Sequence, residues 1–184
     1  MCEVRPQAMF NALCEAIRAA HPQWPGRGGE WTVPILDTFA QLTPEGLQCL
    51  TGAPVGEGEW QYDLVWAEGD PRGDKFVSLR LALESEMQSW NAKLEAWTQE
   101  VLCDMNKVLT ADCPCRVFVA CRQNKVDAAL QILSDAAYRY AGSPRTTLVV
   151  MLSPPEGGAQ SCIARALHFP GGGQPAVELG PEVC

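Results

Sequence analysis

The sequence predicts an α/β protein whose mixed central β-sheet is flanked by helices. Some segments carry apolar residues at helical spacing, and others are short apolar or alternating runs typical of strands. The two kinds alternate along the second half of the chain, as expected for helices packed on a sheet. The 184 residues suit one domain, and we expect the core in residues 9–152 and a strand with a flexible tail in residues 161–184.

The first part of the chain predicts one clear helix. Apolar residues recur at helical spacing over residues 7–20. Residues 31–36 are apolar and β-branched but include a proline, which indicates an irregular or edge strand. Thr43 followed by a proline is typical of a helix start, and Gly52 is suited to the end of that short helix.

The middle of the chain predicts a β-hairpin. Residues 60–67 are aromatic and β-branched, and residues 76–87 alternate between apolar and polar side chains. A turn rich in glycine and acidic residues joins the two runs. Alternation places Leu79 and Leu81 on one face of the second strand and Glu84 on the other.

Helices and strands alternate after the hairpin. An apolar stripe predicts a long helix over residues 90–110, with Ser89 or Asn91 as its cap. Residues 115–122 form a continuous apolar run typical of a strand buried on both faces. The same criteria give the remaining segments: a helix over 125–140, strands over 146–152 and 161–169, and a Gly- and Pro-rich tail from Pro170 that packs little.

Composition narrows the classes of function. Acidic side chains outnumber basic ones by 22 to 14, and the resulting net charge of −8 disfavours bulk electrostatic binding of nucleic acid. No apolar run approaches the roughly 18 residues that span a bilayer, so we expect no membrane partner. The N-terminus has no visible secretory signal, so we expect a cytoplasmic protein with reduced thiols.

Nine cysteines leave a cysteine-based metal or redox site open as an alternative. Zinc can draw its thiolates from four cysteines close in sequence, namely Cys103, Cys113, Cys115 and Cys121. The second knuckle that zinc sites usually have is missing. The other interpretation is that Cys115 and Cys121 are small apolar residues of a strand, and that Cys14 lies on an apolar helix face.

Acidic residues form the most informative pattern in the sequence. Glu84 and Glu86 lie two apart on one predicted strand, so their side chains leave the sheet on the same face. Asp63 on the preceding strand can approach them. Converging carboxylates raise one another's pKa, and a divalent ion such as Mg²⁺ or Mn²⁺ removes that cost. The alternative is an ordinary solvated strand face.

The predicted long helix adds a second polar group. Glu100, Asp104 and Lys107 fall along one edge of its apolar stripe. From that edge a lysine can reach a carboxylate cluster at the border of the sheet. The alternative is a solvated row with ordinary pairing three residues apart.

These residues together carry a resemblance to a known family. Asp63 on one strand, the Glu-Ser-Glu run from Glu84 on the next, a long helix and the buried strand over 115–122 resemble the PD-(D/E)XK nuclease superfamily, the restriction-endonuclease-like fold. The resemblance covers roughly residues 9–152. It implies a core helix, a three-stranded meander, a helix and a further strand, with an active site at the edge of the meander.

The resemblance also implies roles for individual residues. Asp63 matches the first metal-binding acid of the family and Glu84 the second. The family's lysine falls where this sequence has Glu86, so Lys107 is the candidate replacement and Glu86 a candidate third metal ligand. The implied activity is Mg²⁺- or Mn²⁺-dependent hydrolysis of phosphodiesters in nucleic acid. The alternative is an inactive protein of the same fold that binds a protein partner as an interaction module or subunit.

Overall fold

The computed structural model describes residues 5–20, 29–52, 62–69, 78–87, 91–154 and 162–184. Within these residues, four helices and seven strands follow one another in the order α1 (Pro6–Ala20), α2 (Gly29–Gln41), β1 (Gln48–Thr51), β2 (Leu64–Glu68), β3 (Ser78–Glu86), α3 (Leu94–Thr110), β4 (Cys115–Cys121), α4 (Val126–Tyr138), β5 (Thr146–Ser153), β6 (Ile163–Phe169) and β7 (Val177–Val183).

The described strands form one mixed sheet in which spatial order equals sequence order, β1 to β7. β1, β2 and β3 are an antiparallel meander, and β5, β6 and β7 are another. β4 lies between them and is parallel to both β3 and β5. Parallel neighbours need a crossover, which α3 and α4 supply. The predicted mixed sheet flanked by helices is confirmed.

The helices cover both faces of the sheet. One core cluster joins buried residues of α1 and α2 to one face, and a second joins α3 and α4 to the other. Along β4, Val117 and Val119 belong to the first cluster and Phe118 and Ala120 to the second. Every residue of β4 is buried. The prediction of a strand buried on both faces is therefore confirmed.

The strand predicted over residues 31–36 is wrong, because these residues lie inside α2. Trp31, Ile35 and Phe39 recur every fourth residue and are all buried against the sheet. Pro34 lies within the helix and lacks an N–H group, so one intrahelical hydrogen bond is missing. Burial of the three large side chains outweighs that loss.

The short helix predicted from Thr43 to Gly52 is also wrong. Its first half is a turn, and its second half is β1, which pairs with β2. Gly46 has a φ of +86°, which a right-handed helix does not allow. The turn closes through a hydrogen bond from the Leu47 N–H to the Pro44 carbonyl, 3.1 Å long.

The predicted flexible tail is instead the last strand of the sheet. β7 pairs with β6, and Leu179 and Cys184 are buried in the first core cluster. The glycines before it form a turn, in which a Cβ on Gly171 would lie 2.6 Å from the Arg145 carbonyl oxygen. The glycine-rich composition therefore reflects a tight turn against the start of β5 and does not prevent packing.

The strict alternation predicted for the second hairpin strand breaks at a β-bulge. Trp66 pairs with Leu81, and the next residue, Ala67, pairs with Leu79. Arg80 is therefore an extra residue in β3. Leu79 packs with the cluster around Val65, whereas Leu81 belongs to the core under α1 and α2, so the two leucines lie on opposite faces.

The first and last residues predicted for the other helices and strands agree with the structure within a few residues. α3 begins later than predicted, with Lys93 at its N-cap and no side-chain cap, so Asn91 does not cap it. The predicted strand positions 60–61, 76–77 and 161, most of the predicted turn (70–75), and Ser89 and Trp90 at the start of the predicted long helix lie outside the described residues.

Candidate functional site

Asp63 is held at the beginning of β2, the middle strand of the meander, by the neighbouring strand β3. It directly precedes β2, whose first residue, Leu64, pairs with Leu83 of β3. One carboxylate oxygen of Asp63, Oδ2, accepts hydrogen bonds from the backbone N–H and the hydroxyl of Ser85, each 2.8 Å long. The Ser85 N–H of β3 thus donates to the Asp63 carboxylate, where a backbone carbonyl would accept its hydrogen bond if the ladder between the two strands continued. Its orientation is fixed by two donors.

Glu84 is a buried carboxyl group in the same region. It lies in β3 opposite Phe118 of β4, and only 6% of the residue is exposed. Burial, together with the negative charge of Asp63, raises the pKa of the Glu84 carboxyl to about 8. Without a bound cation, this carboxyl therefore carries a proton in most molecules at neutral pH.

Lys107 is the positive charge of the group. Its Nζ lies 2.6 Å from the Asp104 Oδ1, three residues earlier on α3. The hydrogen bond to Asp104 raises the pKa of Lys107, and the negative charge of Glu84 adds to the increase. The pairing of Lys107 with Asp104 three residues earlier is observed, and Lys107 also lies within electrostatic range of Glu84. Glu100 is exposed one turn earlier.

Glu86 ends β3 and lies on the fringe of the group. It is opposite Ala120 of β4. Its charge contributes to the raised pKa of Glu84 and to the raised pKa of the Cys121 thiol. Glu86 is thus within electrostatic range of Glu84, and it makes a smaller contribution to the Glu84 pKa than Asp63 does.

Three acidic side chains, Asp63, Asp104 and Glu86, and the amine of Lys107 lie within electrostatic range of Glu84. Across the described ranges, no three His, Cys, Asp or Glu side chains stand together as a ready set of metal ligands. Magnesium is commonly held by one or two carboxylates, with water and phosphate oxygens completing its shell. Asp63 and Glu84 are a pair of this kind, so the donor chemistry fits such an ion.

The four cysteines of the zinc alternative are dispersed. Cys103 is exposed on α3, whereas Cys113 is buried in a small cluster with Val65 and Ala82. Cys115 and Cys121 stand at the two ends of β4 and pack in the core under α1 and α2. Their surroundings agree with the interpretation of these two as small apolar strand residues.

Sequence reasoning missed the part played by Ser85. The residue lies between two glutamates, and its type alone does not indicate that it donates to Asp63. The pattern that points to it is a serine two residues beyond the last pair of an antiparallel ladder, because its N–H faces the strand that has ended.

Replacing Ser85 by alanine is expected to lower the free energy of unfolding by about 1–2 kcal/mol, because it removes a hydrogen bond to a charged carboxylate. Urea unfolding measures the change. Ser78→Ala is the matched control in the same strand, since its 3.5 Å contact with Glu68 is long, and we expect less than about 0.5 kcal/mol there. Equal losses in the two variants contradict the role given to Ser85.

Comparison with known proteins gives no relative. No protein-family model, curated protein or solved structure matches this chain.

Each helix in the described part of the chain is too short or too polar to span a bilayer.

Proposed function

We propose that this protein is a divergent Mg²⁺- or Mn²⁺-dependent phosphodiester hydrolase with nucleic acid as its substrate. The carrying observation is the buried Glu84 carboxyl, which lies within electrostatic range of Asp63, Asp104, Glu86 and Lys107. Groups with strongly raised pKa values beside specific charge partners are concentrated at functional sites. The order of elements around this site, a meander followed by a helix and a further strand, supports the same proposal.

Each residue has a distinct task in the proposed site. Asp63, oriented by Ser85, and Glu84, once it has lost its proton, hold the metal ion. The ion supplies Lewis-acid stabilisation of the phosphate and lowers the pKa of water. Lys107, positioned by Asp104, places a positive charge beside the phosphate and stabilises the negative charge that develops on it. Glu86 is an additional ligand at the rim.

A second candidate is a protein of this fold that lacks catalysis and serves as an interaction module or subunit. Two observations favour it. Glu86 stands where the resemblance implies a lysine, and the Lys107 ammonium is already paired with Asp104 at 2.6 Å. The net charge of −8 suits a basic protein partner better than a nucleic acid.

Calorimetric titration with MnCl₂ and MgCl₂ tests the metal site. We expect the wild-type protein to bind Mn²⁺ in the micromolar to millimolar range, and Glu84→Gln and Asp63→Asn each to weaken binding by about tenfold or more. Both substitutions keep the shape of the side chain and remove the carboxylate that would bind the ion. Glu95→Gln, an exposed acid in the first turn of α3, is the matched control and is expected to bind like the wild type.

Cleavage assays then separate the two candidate functions. Labelled single- and double-stranded DNA and RNA are incubated with each variant and Mn²⁺. Cleavage by the wild type and the Glu95→Gln variant, lost in Glu84→Gln, supports the hydrolase. Metal binding without cleavage of any of these substrates favours the interaction module, and no binding at millimolar ion concentrations overturns the metal site.

A further inference from the structure

Two helices begin at the same end of the sheet. α3 follows β3 and α4 follows β4, and the two strands are parallel, so both helix N-termini lie at the carboxyl end of β4. In the first turn of α3, the Trp97 Nε1 donates a 3.0 Å hydrogen bond to the Cys121 carbonyl at that end. The N-cap residues of α3 and α4 are Lys93 and Lys125, and neither provides a side-chain cap. The helix dipoles and the first N–H groups therefore make this end of the sheet positive.

Arg122 is buried at this end of the sheet. It directly follows β4, and its backbone N–H donates to the Leu152 carbonyl of β5 at 2.9 Å. Only 3% of the residue is exposed. Its Nε donates a 2.9 Å hydrogen bond to the Asn124 carbonyl, two residues before α4, and its guanidinium lies 5.3 Å from the Trp97 ring centroid. The guanidinium thus contacts both the first turn of α3 and the loop that leads into α4.

The charge of Arg122 lacks a counter-charge. Its Nη1 is buried without a hydrogen-bond acceptor, and no carboxylate in the described part of the chain forms an ion pair with it. Asp127, the acid in the first turn of α4, is paired with Arg165. Buried cations in proteins are ordinarily paired, because they have lost the water that stabilises their charge. Arg122 instead lies beside the positive end of a helix.

Arg116 is the informative contrast. It is 1% exposed and also has a buried Nη1 without an acceptor. Its Nε and Nη2 both donate to the Ala111 carbonyl, at 3.3 and 3.1 Å, and Ala111 is the C-cap of α3. The negative end of a helix dipole therefore balances the charge of Arg116. Arg122 lies at the opposite end of a helix, where the dipole adds to its charge.

We propose that Arg122, Lys125 and the N-terminus of α4 bind a phosphate group. Phosphate oxygens can accept hydrogen bonds from the Arg122 Nη1 and from the first N–H groups of α4, and their negative charge balances the guanidinium and the helix dipole. Asn124 and Lys125 are exposed, so the guanidinium lies just beneath the surface at the loop that it contacts. Lys125 adds a second positive charge there.

The phosphate can come from a nucleic acid strand or from free inorganic phosphate. Glu84 and Glu86 pair with Phe118 and Ala120 of β4, and Arg122 is the next residue of the same alternation, so its side chain lies on the sheet face that carries both acids. A strand bound at Arg122 therefore runs along the face of the candidate metal site. Phosphate binding goes beyond the proposed hydrolase, because it requires neither the metal ion nor cleavage.

NMR titration of the isotope-labelled, metal-free protein with sodium phosphate tests the site, with a chelator present and the ionic strength held constant. We expect saturable shifts of the backbone N–H signals of Asp127 and Ala128, in the first turn of α4, with a Kd in the millimolar range or tighter. The signal of Tyr138, the last residue of α4, should not move. First-turn signals that do not move, or that move equally with potassium chloride, overturn the proposal.

Three variants locate the binding. Arg122→Gln removes the buried charge and is expected to weaken phosphate binding by about tenfold or more. Lys125→Gln is expected to weaken it by about two- to fivefold, because the ammonium is exposed. Arg139→Gln, an exposed arginine just after α4, is the matched control and should bind like the wild type. Unchanged affinity in Arg122→Gln overturns the proposal, and the wild-type shifts together with Lys125→Gln decide it even if Arg122→Gln fails to fold.

A short oligothymidylate without terminal phosphates separates the two sources of phosphate. If the site holds a nucleic acid strand, the oligothymidylate shifts the same first-turn signals, and Arg122→Gln weakens its binding. If inorganic phosphate alone shifts them, the site binds free phosphate, and the proposal holds without a nucleic acid. Neither result depends on the metal titrations of Asp63 and Glu84, so failure of the phosphate site and failure of the hydrolase are distinguished.

Discussion

In metal-free buffer, the contribution of Glu84 to the free energy of unfolding is expected to fall by about 3–5 kcal/mol between pH 5 and pH 8. The Glu84 pKa is about 8 in the folded protein against 4.5 for an ordinary glutamate, so the folded state holds the proton more tightly. This contribution is complete below pH 4.5 and is lost as the pH rises through 8. Glu84→Gln is expected to remove it.

Urea unfolding of the wild type and of Glu84→Gln at pH 5, 6, 7 and 8, with a chelator present, measures the difference. The wild type should lose stability relative to the variant as the pH rises. The groups facing Glu84 are Asp63 from the edge of β2, Asp104 and Lys107 from α3, and Glu86 from its own strand. Glu95→Gln is the control, and its free energy of unfolding should change with pH in parallel with that of the wild type. If the free energy of unfolding of Glu84→Gln also changes in parallel with the wild type, the buried, protonated carboxyl is contradicted.

Trp97→Ala is expected to lower the free energy of unfolding by about 3–5 kcal/mol. The side chain is fully buried between α3 and the sheet. Its Nε1 donates a 3.0 Å hydrogen bond to the Cys121 carbonyl at the end of β4, and the Arg122 guanidinium lies 5.3 Å from its ring centroid. The substitution removes all three contributions and leaves a cavity.

Guanidinium unfolding of three variants separates these contributions. Trp97→Phe keeps most of the ring but loses the hydrogen bond, and it should cost about 1–3 kcal/mol because a buried carbonyl loses its donor. Tyr138→Ala removes an aromatic ring that is 64% exposed on α4, and it should change stability by less than about 0.5 kcal/mol. A Trp97→Ala loss no larger than that of Tyr138→Ala refutes the structural role of Trp97.

Most of the fold could be predicted because the spacing of apolar residues along a segment shows which of its faces is buried. β4 is buried on both faces, and α3 and α4 each bury one face. The apolar residues of these three elements therefore follow a clear strand or helix spacing. α2 was missed because Pro34 indicates a strand edge locally, whereas the helix is stabilised by burial of Trp31, Ile35 and Phe39 on a distant sheet. β7 was missed because glycines that fit a tight turn have the same composition as a loose tail.

The candidate site was predictable only in part. The residue types and strand faces of Asp63 and Glu84, and the helix edge of Lys107, follow from sequence alone. The depth of Glu84 and the hydrogen bonds from Ser85 to Asp63 depend on where β2 ends against β3, which local patterns do not determine. Which carboxyl loses contact with water is decided by how the strands pair in three dimensions.

The sequential order of the strands has a consequence for synthesis on the ribosome. Because each strand pairs with the strand made just before it, the sheet can grow in the direction of translation, one neighbour at a time. The contact between α1 and the end of β7 is the exception, since it joins the earliest described helix to the last strand. That contact can form only after residues 177–183 have been made, later than any strand pairing within the first meander.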